Sequence, residues 1–283
     1  MKINFPLLAL AVGAFAIGTT EFSPMGFLPE IANDLSVSIP QAGLLISAYA
    51  VGVMIGAPLM TLWLARFPKK TALILLMAIF TIGNVLATVA PDYMSLIGAR
   101  LITSLNHGAF FGLGSVVAAS VVPKDKQASA VAMMFMGLTI ANIGGVPLAT
   151  WLSQNTSWRM AFAAISILGI MTILALWKAL PQDHDVVKPN VAKELRVLTR
   201  APVVLALLTT VMSAGAMFAL YTYIAPSLHV FMQASPQTIT LMLVLIGIGF
   251  SIGNHLGGKF ADLSLEKTLI GFLVLLMVMM LLF

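Results

Sequence analysis

Residues 5–28 read Phe-Pro-Leu-Leu-Ala-Leu-Ala-Val-Gly-Ala-Phe-Ala-Ile-Gly-Thr-Thr-Glu-Phe-Ser-Pro-Met-Gly-Phe-Leu, with Glu21 as the only charge. A bilayer core takes about 20 mostly apolar residues in one helix, so this stretch predicts a membrane span. The same test finds runs near 41–64, 71–89, 94–118, 128–152, 159–180, 202–226 and 237–258, and a ninth from Thr268 to Phe283. Turn-forming residues separate them: Pro29 to Pro40, Phe67-Pro68, Ala90-Pro91-Asp92, Pro123-Lys124-Asp125, Asn155 to Trp158 and Ala234-Ser235-Pro236. A signal peptide is the competing reading of the first run, because Lys2 precedes it and Ala14-Phe15-Ala16 looks cleavable. The apolar run continues well past that site, as a spanning helix should.

Composition agrees. Only 9% of residues are charged, against about 25% in a soluble domain. So few charges cannot cover a soluble fold of this size, which rules out a soluble enzyme, a disordered chain and a nucleic-acid binder. There is no Cys, so disulfides, iron–sulfur clusters and cysteine zinc sites are excluded. The net charge of +5 has a topological origin. Lys2, Arg66, Lys69, Lys70, Lys124, Lys126, Lys188, Lys193, Arg196, Arg200, Lys259 and Lys267 all fall at the N-terminus or in even-numbered loops. In the odd-numbered loops only Arg159 lies at an edge. The positive-inside rule then predicts a cytoplasmic N-terminus and a cytoplasmic loop 181–200.

These spans predict an all-α polytopic membrane protein. Residues 1–180 form a six-helix bundle. Residues 181–200 form a cytoplasmic linker with a short surface helix from Val191 to Arg200. Residues 201–283 hold two full spans and part of a third. A shift of 197 residues superimposes Pro29 on Pro226, Gly52 and Gly56 on Gly249 and Gly253, and Lys70 on Lys267. A parallel repeat of six-helix halves is a known transporter architecture. The second half is incomplete and the chain ends inside an apolar run, so a truncated chain is expected.

Ionisable groups at bilayer depth are costly and point to function. Glu21 lies about 12 Å from the outer end of the first span, and Arg100 about 9 Å inside the fourth. The functional reading is a proton-titrating carboxylate beside a cation; the competing one is a structural ion pair between helices. His107 follows Arg100 by two turns on the same face and is a relay or ligand candidate, although a lone helical His is more often structural. Tyr49, Asn106, Asn142 and Tyr221 are candidate cavity residues that equally suit interhelical hydrogen bonds. His184 and His229 read as loop residues, and His255 as a packing residue. Gly137 to Pro147 combines Gly144, Gly145 and Pro147, which permit close packing and a kink that seals the outer path. No histidine has a carboxylate at ligand spacing within its span, so no metal or cofactor is expected.

Taken jointly, Thr19-Thr20-Glu21-Phe22 with Pro29, Ser47 through Gly52, Arg100 through Gly108, and Gly137 through Pro147 resemble the major facilitator superfamily. The likeness is to its twelve-span drug/proton antiporter branch, especially the arabinose- and sugar-efflux-like bacterial permeases. Arg100 matches the Arg of the family's fourth-helix motif, linked there to proton coupling. Gly137 to Pro147 is similar to its antiporter motif. The cytoplasmic loop motif departs: Ala65 stands at its Asp and Pro68 at its second Gly, while Arg66, Lys69 and Lys70 remain. The second copy keeps Gly258 and Asp262 but has Leu263 for Arg. The resemblance implies a proton-coupled exporter of sugars or small drug-like compounds, monomeric, in a bacterial inner membrane. Arg66, Lys69, Lys70 and Asp262 are its gating residues. A non-transporting remnant and a polytopic membrane enzyme are the alternatives.

Overall fold

The computed structural model describes residues 4–181 and 199–282. The helices are α1 (Phe5–Gly26), α2 (Leu28–Asp34), α3 (Ile39–Leu64), α4 (Lys69–Thr88), α5 (Tyr93–Ser104), α6 (His107–Ser120), α7 (Gln127–Ile140), α8 (Val146–Asn155), α9 (Trp158–Ala179), α10 (Ala201–Met232), α11 (Pro236–Leu263) and α12 (Leu265–Leu282). A π-helical turn, Ala141–Gly145, joins α7 to α8. Among the described residues, eight helical runs are long and apolar enough to cross a membrane. α5 with α6 makes one of them, and α7 with α8 another. The expected ninth run is α12, which starts at Leu265 rather than Thr268.

Polar caps start the helices where the sequence breaks. Asn4, Asp92, Ser157 and Ser235 each accept a bond from a backbone N–H in the first turn of the helix that follows. Ser38 and Gln41 form a reciprocal capping box on α3. Three expectations change. The fourth span is not continuous: it breaks at Leu105 and Asn106 between α5 and α6. Its packing surface there is Gly52 and Gly56 of α3, where an added Cβ would collide with Ser104 and Leu105. The seventh span does not end at Pro226. Pro226 sits inside α10, which runs on to Met232 and stops at Gln233 in the left-handed conformation. His229 is therefore helical, not a loop residue; proline is tolerated in membrane helices when neighbours restore the lost bonds. Finally, residues 182–198, the core of the expected linker with His184, lie outside the described residues.

All long helices run between two ends, named here by Asp34 and Lys70. α4 packs along α9, and α1 along α7. Phe80, Phe110, Phe162 and Trp158 are buried in this core. α1 and α7 touch backbone to backbone, since a Cβ on Gly137 would collide with the Ala11 carbonyl. The superimposed glycines differ in use: nothing lies within 4 Å of a Cβ built on Gly249 or Gly253.

α10 and α11 meet the first six spans toward the Asp34 end. The buried residues of α10 are Tyr221, Thr222, Ile224, Ala225, Pro226 and Leu228, whereas Ala201 to Met212 is largely exposed. α11 packs on α8 and the π turn. Among the described residues, the buried contacts between the two groups of helices lie toward the Asp34 end, and the Lys70 half of α10 is exposed.

Candidate functional site

Glu21 projects from α1 into a cavity of about 190 Å³ lined by Ile46, Tyr49, Ala50 and Val53 of α3 and Phe218 of α10. Its side chain keeps 16% exposure, and its Oε2 stands 4.0 Å from His107 Nε2. The other ring nitrogen, Nδ1, lies 3.1 Å from the Tyr49 hydroxyl. When Tyr49 donates to Nδ1, the imidazole proton is on Nε2 and faces Glu21. Three titratable groups, Glu21, His107 and Tyr49, thus stand next to one another at the cavity wall.

Arg100 lies behind these groups. Its guanidinium carbon is 4.2 Å from the Tyr49 ring centroid, a cation–π distance. Nη1 donates to the Thr20 carbonyl at 3.0 Å and to Thr20 Oγ1 at 3.3 Å. Thr20 Oγ1 in turn donates to Asn84 Oδ1 at 2.7 Å, and Asn84 Nδ2 donates to the Phe80 carbonyl at 2.9 Å. No ion pair joins Arg100 to Glu21 among the described residues, so the expected direct contact is replaced by Thr20, the neighbour of Glu21. Arg100 thus meets α1 at the residue beside Glu21. Arg100 Nε and Nη2 are buried and have no hydrogen-bond partner among the described residues.

The remaining expected residues scatter. Tyr221 does not line the cavity: its ring lies 5.7 Å from both Phe22 and Phe250, and its buried hydroxyl has no hydrogen-bond partner among the described residues. Phe22 stacks on Phe218 at 5.6 Å. Asn106 turns away toward Met77 of α4, its Nδ2 3.8 Å from the sulfur. Asn142 lies in the π turn and donates to the Leu138 carbonyl at 3.1 Å. Its backbone carbonyl abuts Gly247 of α11, where a Cβ would collide. Gly145 sits equally close to Thr19, Pro147 is buried at the start of α8, and Gly144 faces open space.

At the Lys70 end, Arg66 rests against the rings of Trp63 and Phe67 at 5.3 and 5.4 Å. Lys70 donates to the Leu180 carbonyl at 2.7 Å, tying the start of α4 to the end of α9. Lys69 opens α4, and the side chain of Asp262 lies outside the described residues. At the other end Asp34 pairs with Arg159 and accepts from Trp158 Nε1 at 3.0 Å, while Arg159 also donates to the Ala90 carbonyl at 3.0 Å. The bond from Arg159, then that from Trp158, holds the Asp34 carboxyl below its ordinary range.

Sequence reading did not assign Thr20, Asn84, Phe22 or Phe218 to the site. Asn84 carried a weak signal as a polar residue inside a span; an apolar Phe carries none.

The chain matches the Major Facilitator Superfamily over residues 10–283. It is 66% identical over 281 residues to the inner membrane transport protein YdhP of Escherichia coli, covering 99% of this chain and 72% of that protein. It is 31% identical over 261 residues to a chloramphenicol resistance protein of Streptomyces lividans, covering 91% and 67%. Among solved structures, a bacterial homologue of the lysosomal transporter Spinster, inward-facing and unoccupied, aligns with a TM-score of 0.75. That alignment is at 18% identity and covers 93% of this chain and 63% of the other.

Proposed function

The chain belongs to the Major Facilitator Superfamily, and on that premise we propose that it exchanges protons for small, mostly apolar molecules, with Glu21 as the proton-carrying carboxylate. The observation that carries this is the cavity itself: one carboxylate, beside His107 and Tyr49, facing otherwise apolar and aromatic walls. A sugar needs many hydrogen bonds, and a wall of Ile46, Ala50, Val53 and Phe218 offers none. The similarity to a chloramphenicol resistance protein accords with the drug-like class. The two groups of helices are the moving parts, rocking about the cavity as a parallel-repeat transporter does. With their buried contacts toward the Asp34 end, they open the cavity toward the Lys70 end.

Loop charges orient that opening. Arg66, Lys69, Lys70, Lys124 and Lys126 all lie at the Lys70 end, which is then cytoplasmic, with the N-terminus beside it. The relative YdhP gives the inner membrane as the location. In the exchange Glu21 takes a proton while the cavity faces outward and gives it up to the cytoplasm; substrate travels the other way. His107, whose Nδ1 is held by Tyr49, is placed to exchange the proton with Glu21, and Arg100 holds Tyr49 in place through its ring. The test is substrate-induced proton release from purified protein. Glu21→Gln should abolish release and still fold. Equal release from wild type and Glu21→Gln would reject the assignment and make His107 the next candidate.

A further inference from the structure

A second carboxylate sits between the two groups of helices, away from the cavity. Glu30 lies in the first turn of α2, and the Gln154 side chain of α8 is within hydrogen-bonding reach of it. The far end of the same Gln154, its Oε1, accepts from Thr240 of α11 at 3.1 Å. α10 packs on α2, and His229 of α10 is near enough for its charge to act on Glu30. One cluster therefore ties α2 and α8 of the first group to α10 and α11 of the second. Glu30 Oε2 is buried with no hydrogen-bond partner.

We propose that Glu30 is a second proton-binding site, one that latches the two groups together at the Asp34 end when it takes up a proton. The reasoning is one of solvation. A carboxylate with an unpartnered buried oxygen is costly as an anion and much less so as an acid. Parting the seam between the two groups returns Glu30 to water, where the anion is well solvated. The closed seam therefore binds the proton more tightly than the open one. By linkage the proton must favour the closed seam to the same extent. Burial pushes the Glu30 carboxyl up in the closed form, which agrees in direction. The sign follows: closure is favoured below the raised value and lost as pH rises through it.

Other groups near Glu30 act as follows. His229 on α10 is the cation acting on Glu30 when charged, and it opposes the effect by favouring the anion. On α2 itself, Asp34 is one turn away and is occupied by Arg159 of α9. α3 carries no charged side chain, and its one titratable group, Tyr49, is at the cavity. α8 contributes only Gln154, and the charged residues of α11 lie at its opposite end.

The latch rests on the reading that the two groups move, and the test separates the two ideas. The chain has no Cys, so spin labels can be placed at exposed Asn33 and Met232 through Cys substitutions. Pulsed electron resonance then reports the separation of α2 and α10 between pH 4 and 9. The short-distance population should grow as pH falls, by up to about tenfold in closed-to-open ratio per pH unit. Its midpoint should lie above about 4.3, the ordinary glutamate value. Glu30→Gln, which imitates the protonated acid, should stay short at every pH. His229→Gln should move the midpoint upward. These comparisons are made in the Glu21→Gln background, where the cavity carboxylate cannot titrate and the low-pH gain in short distances should remain. A pH response that survives in Glu30→Gln overturns the proposal, and so does a wild-type distance that ignores pH.

Discussion

Thr20→Val tests whether the network behind the cavity holds Arg100 in place. The substitution keeps the shape and removes one hydroxyl. That hydroxyl accepts from Arg100 Nη1 and donates to Asn84 Oδ1. Arg100 retains its bond to the Thr20 carbonyl. The 3.3 Å bond to the guanidinium is worth about 1.5 kcal/mol, the low end for a charged partner. The 2.7 Å bond to Asn84 joins two helices inside the membrane, where such bonds average about 0.6 kcal/mol. The total is about 2 kcal/mol, or roughly 30-fold in the folded-to-unfolded ratio. Asn84→Leu removes the second bond together with the Asn84 Nδ2 bond to the Phe80 carbonyl, and should cost about 0.6 kcal/mol in the term it shares with Thr20→Val. Because both variants break the Thr20–Asn84 bond, the double variant should cost less than the sum of the two. The assay is equilibrium unfolding in mixed micelles, read by tryptophan fluorescence. A Thr20→Val cost under about 0.5 kcal/mol, or strict additivity with Asn84→Leu, would refute the reasoning.

Three shorter predictions concern other parts of the molecule. Gly137→Ala should destabilise severely, because its Cβ meets the Ala11 carbonyl, whereas Gly144→Ala, facing open space, should be neutral or gain up to about 1 kcal/mol of helix propensity; melting temperatures of the two variants should diverge, and similar values would contradict the packing. Asp34→Asn should cost under about 1 kcal/mol because the pair with Arg159 is exposed. The Asp34 carboxyl is held low in the folded protein, so its contribution is present above the ordinary value of about 3.9 and fades as pH falls through the lower folded value; a wild-type-minus-variant difference that grows in acid would show the sign to be wrong. Lys124→Cys should react with impermeant thiol reagents only after the inner face is exposed, and Met232→Cys from intact cells; the opposite pattern would invert the topology.

The spans were legible because an apolar run of fixed length has one cheap environment, and Asp92, Ser157 and Ser235 mark helix starts by chemistry that acts locally. Membership of the family was legible for the same reason, since its motifs are short and continuous. The break at Leu105 and Asn106 was not. It arises where α5 and α6 pack against Gly52 and Gly56 of α3, about 50 residues away. Counting residues gave Glu21 and Arg100 a common level, but a depth is one coordinate and a contact needs three. Thr20 belongs to a short continuous motif, yet only the structure turns its hydroxyl toward Arg100 and Asn84. Phe218 could not be found from its own neighbourhood, because α10 is apolar nearly throughout and the cavity-facing position is set by α1 and α3.

The π turn at Ala141–Gly145 also sets a phase. A π turn holds one residue more than an α turn, and one residue of an α-helix is about 100° of rotation. Everything in α8 is therefore rotated by about that angle relative to an uninterrupted continuation of α7. In the observed phase Thr150 packs against Gly26 of α1, and Gln154 reaches Thr240 of α11. Deleting one residue within 141–145 would leave a longer, straighter helix with every loop intact. It would also swing Thr150 and Gln154 off their partners and present other side chains to α1 and α11. The junction between the two groups of helices thus depends on a count of residues as much as on their kinds. A mutation that preserves every side chain in α8 can still undo its interface.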